Sequence, residues 1–251
     1  MKDPHVVSLT YTIVDNDVLT FKDPPDFEIE TAEFHGLLSN GILTLEPKNH
    51  YSSVAQIRPL ADDYVRGWEI DRALRSGSLE FNFRFEGAQI VDRQPGPGKA
   101  FVDILDVMTL VDSVDVKKSS TAYPAPPDNF QITTEVEVLW KHYSRFLKGG
   151  ELLQSMAYSC LDLLEGRFAE RGKRRRAANH YGIDFDVLKN LGELTSNRGD
   201  PVTARKPSKA RIPLSASESR WVKEAIKAII KHLATRQPGQ ILKMSDLPPL
   251  T

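Results

Sequence analysis

The run Arg171-Gly172-Lys173-Arg174-Arg175-Arg176 places five cations in six residues, and Asn179-His180-Tyr181 follows after two alanines. Guanidinium and ammonium groups bind phosphate through charge and directed N–H donors. An aromatic ring stacks on a base, and an imidazole exchanges protons near neutral pH. Lys173, Arg174, Arg175 and Arg176 are therefore candidate phosphate contacts, Tyr181 a candidate stacking ring, and His180 a candidate general acid/base. A second row, Arg220, Lys223, Lys227 and Lys231, recurs at i, i+3, i+7 and i+11, which is one face of a helix. Together the two rows point to a polyanion such as RNA or single-stranded DNA. Helix chemistry alone also accommodates them, since cations suit a helix C-terminus and a charged row opposite an apolar stripe is an ordinary outer face.

Other chemistries find little support. The chain has no Walker A loop, G-x-G-x-x-G, G-x-S-x-G, H-E-x-x-H or EF-hand pattern. Gly96-Pro97-Gly98 is glycine-rich, but its proline lacks the amide that a phosphate cradle would use. A single cysteine, Cys160, rules out a disulfide framework and reads as a buried hydrophobe on a helical stripe. The six histidines show no paired ligand spacing, and Asp103 and Asp106, three apart in a strand, would point to opposite faces. Asp112 and Asp115 have the same spacing and read as solvated strand or turn positions. The expectation is no metal and no cofactor.

These groups must be positioned by two halves of opposite charge. Residues 1–135 carry 12 basic and 22 acidic side chains, and residues 136–251 carry 21 and 12, within a chain of 251 residues and net charge -1. The basic half suits nucleic acid, while the acidic half offers a rival partner. The competing expectation is thus a non-catalytic interaction module that docks a protein or self-associates into a homo-oligomer. No apolar run approaches the roughly 20 residues needed to span a bilayer, and MKDPHVV lacks the basic and apolar regions of a signal peptide. A soluble, cytoplasmic protein without membrane contact is expected.

In the acidic half, Val6 to Val14 and Val18 to Phe21 flank Asp15-Asn16-Asp17 as a hairpin would. Phe27 to Phe34 alternates as one strand, and Ser39-Asn40-Gly41 turns the chain into Ile42 to Leu45. Leu79, Phe81, Phe83 and Phe85 share a strand face, with Glu86-Gly87 as a turn into Ala88 to Asp92. Pro59 to Arg75 reads as a helix, with Asp62-Asp63 in its first turn and two stripes, Leu60-Tyr64-Trp68-Arg72 and Ala61-Val65-Trp68. Phe101 to Val116 is rich in β-branched residues and reads as strand.

In the basic half, Thr134 and Glu137 fit a capping box before a helix that Gly149-Gly150 stops. Helices are also expected over about 151–171 and 184–195, and after a second capping box, Ser215 with Glu218. The basic run would form an exposed turn between two of them. The expected architecture is α+β: an acidic, mainly antiparallel β domain over 1–120 with one inserted helix, a Pro-rich connection over 121–132, a basic bundle of four or five helices over 133–236, and a tail over 237–251.

Over residues 130–236, a helical hairpin, a basic turn and further helices, with Arg175 and His180 at Arg-x4-His spacing, resemble the HEPN-type bundles of prokaryotic defence and toxin proteins. Arg174 and His180 also fall within that family's spacing range. The resemblance implies a metal-independent ribonuclease in which His180 moves the proton and Arg175 stabilises phosphate charge.

Overall fold

A computed structural model describes residues 1–14, 19–94, 118–168, 171–196 and 212–250. The Asp15-Asn16-Asp17 turn, Gly96-Pro97-Gly98 and the 101–116 segment with its four aspartates lie outside the described residues. The chain divides into two compact units, Met1–Pro127 and Asp128–Thr251.

The first unit runs β1 (Pro4–Ile13), β2 (Leu19–Phe21), β3 (Phe27–Glu30), β4 (Phe34–Ser39), β5 (Ile42–Pro47), α1 (Val54–Ser76), β6 (Phe83–Asp92) and β7 (Lys118–Ser120). Five strands form an antiparallel sheet in the order β3-β4-β5-β1-β6. One face of that sheet contributes Leu9, Tyr11, Ile29, Leu38, Leu43 and Leu45 to a core with the α1 stripe Ile57, Ala61, Val65 and Trp68. Burying each such large apolar side chain contributes about 1.5–3 kcal/mol. Trp68 lies beside Phe27, Tyr64, Phe81 and Phe83, and its Nε1 donates to the Pro124 carbonyl at 3.1 Å. Tyr123 is buried beside it, so part of the expected Pro-rich connection belongs to this core. Tyr11 OH donates to Asp62 at 2.8 Å, and burial with this carboxylate pushes the phenol well above its ordinary range.

Several local expectations are corrected. The hairpin from β1 to β2 does not form, because β5 and β6 take both edges of β1; β2 pairs in parallel with β7, and Phe21 packs on Phe81 and Tyr123. The expected strand Phe27 to Phe34 is a tight hairpin, in which the Thr31 hydroxyl accepts from the Phe34 N–H at 2.8 Å and folds β3 back on β4. Asn40 and Gly41, with φ of 51° and 76°, form the expected turn between β4 and β5, as a two-residue primed turn requires.

The expected turn at Glu86-Gly87 is instead a bulge inside β6. Thr10 pairs with Gly87 and Tyr11 with Phe85, which leaves Glu86 extra on its strand. Leu79 to Asn82 lie outside the ladder, and the Phe83 N–H that opens β6 donates to Glu69 of α1 at 2.7 Å. Helix α1 begins five residues before the expected start and carries Pro59 internally. Pro59 is on the water side with Ala55, to whose carbonyl it has no N–H to donate. Asp62-Asp63 are consequently mid-helix; the Ala61-Val65-Trp68 stripe faces the core, and of the other stripe Tyr64 packs on Phe34 and Trp68 while Leu60 is exposed.

The second unit contains α2 (Thr134–Leu147), α3 (Leu153–Gly166), α4 (Lys173–Tyr181), α5 (Phe185–Ser196) and α6 (Ala216–Thr235). Thr133, rather than Thr134, caps α2 by accepting from the Val136 N–H; with Val136 at the third helical position in place of Glu137, the expected reciprocal box gives way to a single cap bond. At its other end the Gly150 N–H reaches the Arg145 carbonyl and the Gly149 N–H that of Phe146, the Schellman pattern. Ser215 and Glu218 form the expected capping box of α6. Helix α3 stops at Gly166, short of the expected 171, and the expected exposed basic turn is largely helix α4. The expected tail packs too: Leu242 and Leu247 are buried, and Leu242 bridges Ile183. The α+β architecture with five C-terminal helices matches the expectation.

Gly36 of β4 has no room for a side chain, since a Cβ there would meet Ile29 Cβ and Leu45 Cδ2, each at 3.0 Å. Gly36→Ala should therefore cost about 1–3 kcal/mol in urea unfolding. Gly166→Ala, which meets nothing within 4 Å at the end of α3, should leave stability unchanged or raise it by up to about 1 kcal/mol. Equal midpoints for Gly36→Ala and the parent would refute the sheet packing.

Candidate nucleic-acid interface

Helix α4 divides the basic run by its own periodicity. Arg174, Ala177, Ala178 and Tyr181 are spaced i, i+3, i+4 and i+7, and this stripe turns inward. Arg174 Nε donates to Glu165 of α3 at 2.5 Å, and Lys173 Nζ lies 3.1 Å from the same carboxylate. The Arg174 guanidinium rests on Gly192 of α5, where an added Cβ would come within 2.6 Å of it. Two of the four candidate cations thus serve the packing of α3, α4 and α5. A cavity of about 210 Å³ beside them is lined by Asp162 and Glu165 as well as Lys173 and Arg174, so its charges balance internally.

Arg175 and Arg176 turn outward. The Arg175 guanidinium covers the Phe185 ring at 4.8 Å, a cation–π contact. All four cations occupy the first turn of α4, the positive end of its dipole, with no acidic residue there. Tyr181, the expected stacking ring, is only 5% exposed and packs edge-on against His180 and Phe168. Its face is not presented to a base.

His180 is exposed on the last turn of α4. It lies five positions after Arg175, a rotation of about 140° around the helix, so the two side chains leave different faces. The guanidinium beside the imidazole is that of Arg167, whose Nη1 is 3.4 Å from His180 Nε2 and 3.0 Å from Glu135. Because arginine only donates, the His180 nitrogen facing it acts as acceptor. Arg236 Nη1 donates to the His180 carbonyl at 2.7 Å, which places a cation at the negative end of α4. Gly182, with φ of 63°, follows immediately, and a Cβ there would lie 2.7 Å from the Gln240 carbonyl. Arg167 and Arg236 had no local spacing to His180 that sequence reading could have used.

The second row is brought together on α6. Arg220, Lys223 and Lys231 are exposed on one face, and half-buried Lys227 pairs with Glu224 at 3.0 Å. Lys223 Nζ lies 5.6 Å from the Phe146 ring centroid. The opposite face, Trp221, Val222, Ala225, Ile226, Ile229 and Ile230, is buried. Near the end of α6, buried His232 hydrogen-bonds the Tyr181 carbonyl through Nε2 at 3.0 Å, and burial lowers its pKa. Cys160 is fully buried on α3, where desolvation pushes the thiol well above its ordinary range. Among the described residues no group of three or more His, Cys, Asp or Glu could hold a metal ion, and no helix is long and apolar enough to cross a membrane. No family model, curated protein or solved structure matches the chain.

Two outcomes follow. Arg174→Ala should destabilise the helical unit by about 1–3 kcal/mol, because it leaves Glu165 buried with one partner fewer, whereas Arg175→Ala should cost about 0.5–1 kcal/mol. Equal losses in chemical unfolding would contradict the division of the run. His232 is held neutral in the fold, and the unfolded chain binds a proton there below about pH 6.5, so its contribution is present above that pH and declines as pH falls through the lowered native value. His232→Gln should flatten the pH dependence of stability between pH 7 and 5; an unchanged slope would assign that dependence elsewhere.

Proposed function

We propose that the helical unit binds a single-stranded polyanion, RNA or single-stranded DNA, along α6 and the outward side of α4. The observation that carries this reading is the row on α6: Arg220, Lys223 and Lys231 stand exposed on one face, and among the described residues only Lys227 of the four ion-pairs with a carboxylate. From Arg220 to Lys231 the row extends about 16 Å along the helix axis, which is long enough to follow several phosphates. Arg175 and Arg176 add outward cations on α4.

Among the exposed residues of α4, His180 is the one suited to strand cleavage, on a different face of the helix from Arg175. Its exposed imidazole is the proton-transfer group, and Arg167 supplies the neighbouring guanidinium that the ribonuclease reading assigned to Arg175. Binding alone requires none of this.

The test is the triple variant Arg220→Gln, Lys223→Gln and Lys231→Gln, titrated into labelled mixed-sequence RNA and single-stranded DNA over a range of salt. Each lost phosphate contact removes about 0.7 from the slope of log K against log salt, so the slope should flatten by about 2 and low-salt affinity should fall at least about tenfold. Wild-type protein that binds neither strand at low salt would refute the reading and favour the protein-interaction module.

A further inference from the structure

We propose that the outer face of the five-stranded sheet docks an extended, Lys- or Arg-bearing segment of a partner protein, added as a strand along β3. The sheet packs one face on α1; the side chains of opposite parity, Glu28 and Glu30 on β3, His35 and Leu37 on β4, and Ile42, Thr44 and Glu46 on β5, stand on the other. All of these except Ile42 line an open groove of about 610 Å³. The cross-strand register sets Glu28 opposite Leu37 and Leu37 opposite Thr44, with Glu30, His35 and Glu46 forming the next row.

Charge complementarity selects the occupant. Lys48 and His35 engage Glu30, whereas Glu28 and Glu46 make no ion pair among the described residues. The free carboxylates repel phosphate and acidic peptides and attract cations. Leu37, 42% exposed, adds apolar contact within the groove, and Ile42, 45% exposed, extends it along the same face, which an inorganic cation would not use. An alternating basic and apolar strand satisfies both features, since its side chains repeat every second residue as those of the face do.

The edge supplies the remaining contacts. Among the described residues β3 is the terminal strand in the order β3-β4-β5-β1-β6, so there its outer edge offers backbone N–H and C=O groups without a strand neighbour. Carboxylates beside such an edge discourage neutral or acidic strands and leave a basic one as the compatible addition. This surface is independent of the α6 row, and neither proposal requires the other.

Fluorescence anisotropy with the full chain and a synthetic ten-residue peptide of alternating lysine and valine tests it, beside an alternating glutamate–valine control. The lysine peptide should bind with a salt-sensitive Kd, the control should not, and the double variant Glu28→Lys with Glu46→Lys should raise Kd at least tenfold while retaining the far-UV spectrum. A lysine peptide N-methylated at alternate residues, which loses strand pairing along one edge, should bind at least tenfold more weakly when the methylated edge is the one that faces β3. No binding, equal binding to the double variant, or equal binding by peptides methylated on either edge would overturn strand docking. A concentration-dependent increase in mass without peptide, abolished by the double variant, would assign the face to a second copy and overturn the partner-protein occupant.

Discussion

Glu165 has only 5% of its side chain exposed, and its two oxygens receive Arg174 and Lys173 from the first turn of α4. Alone, that buried carboxylate would carry a desolvation penalty of several kcal/mol; alone, cations at the positive end of α4 would oppose the helix dipole. Each unfavourable placement is offset by the other. The Arg174 guanidinium then lies on Gly192, so one ion pair fixes α3 and α4 and brings α4 against α5. The outward direction of Arg175 and Arg176 follows from this, because a helix that turns Arg174 inward must turn its neighbours away.

The two units use charge differently. In the first, carboxylates of α1 tie the helix to the sheet: Glu69 receives the first N–H of β6, and Asp62 receives the Tyr11 hydroxyl of β1. In the second, cations collect at helix ends and on the outer face of α6, while apolar residues supply most of the interior. A net charge near zero over the whole chain therefore conceals two halves of opposite net charge.

Elements with local punctuation were legible in the sequence. Asn40-Gly41, the Ser215 and Glu218 box, and the glycine stop after α2 each carry their conformation in neighbouring residues, and each occurs where expected. The errors arise where distant partners decide. Nothing near Leu19 tells that both edges of β1 are occupied, and nothing near Gly87 tells that Phe85 and Gly87 pair with consecutive residues of β1. At the candidate site, the α6 row was readable because one helix holds it. The partners of His180 were not, since Arg167 and Arg236 reach it from other segments, and Arg174 looked like a surface cation until Glu165 supplied its counter-charge.

Cys160 sits in van der Waals reach of Met156, wholly enclosed on α3, and no second sulfhydryl exists in the chain. A thiol that is both unexposed and held protonated does not react in the closed state. Alkylation then proceeds only as fast as α3 transiently opens, and its rate measures the free energy of that excursion wherever reclosure outruns chemistry. The natural chain thus carries an intrinsic probe of native-state breathing, confined to the helical unit and silent toward the sheet.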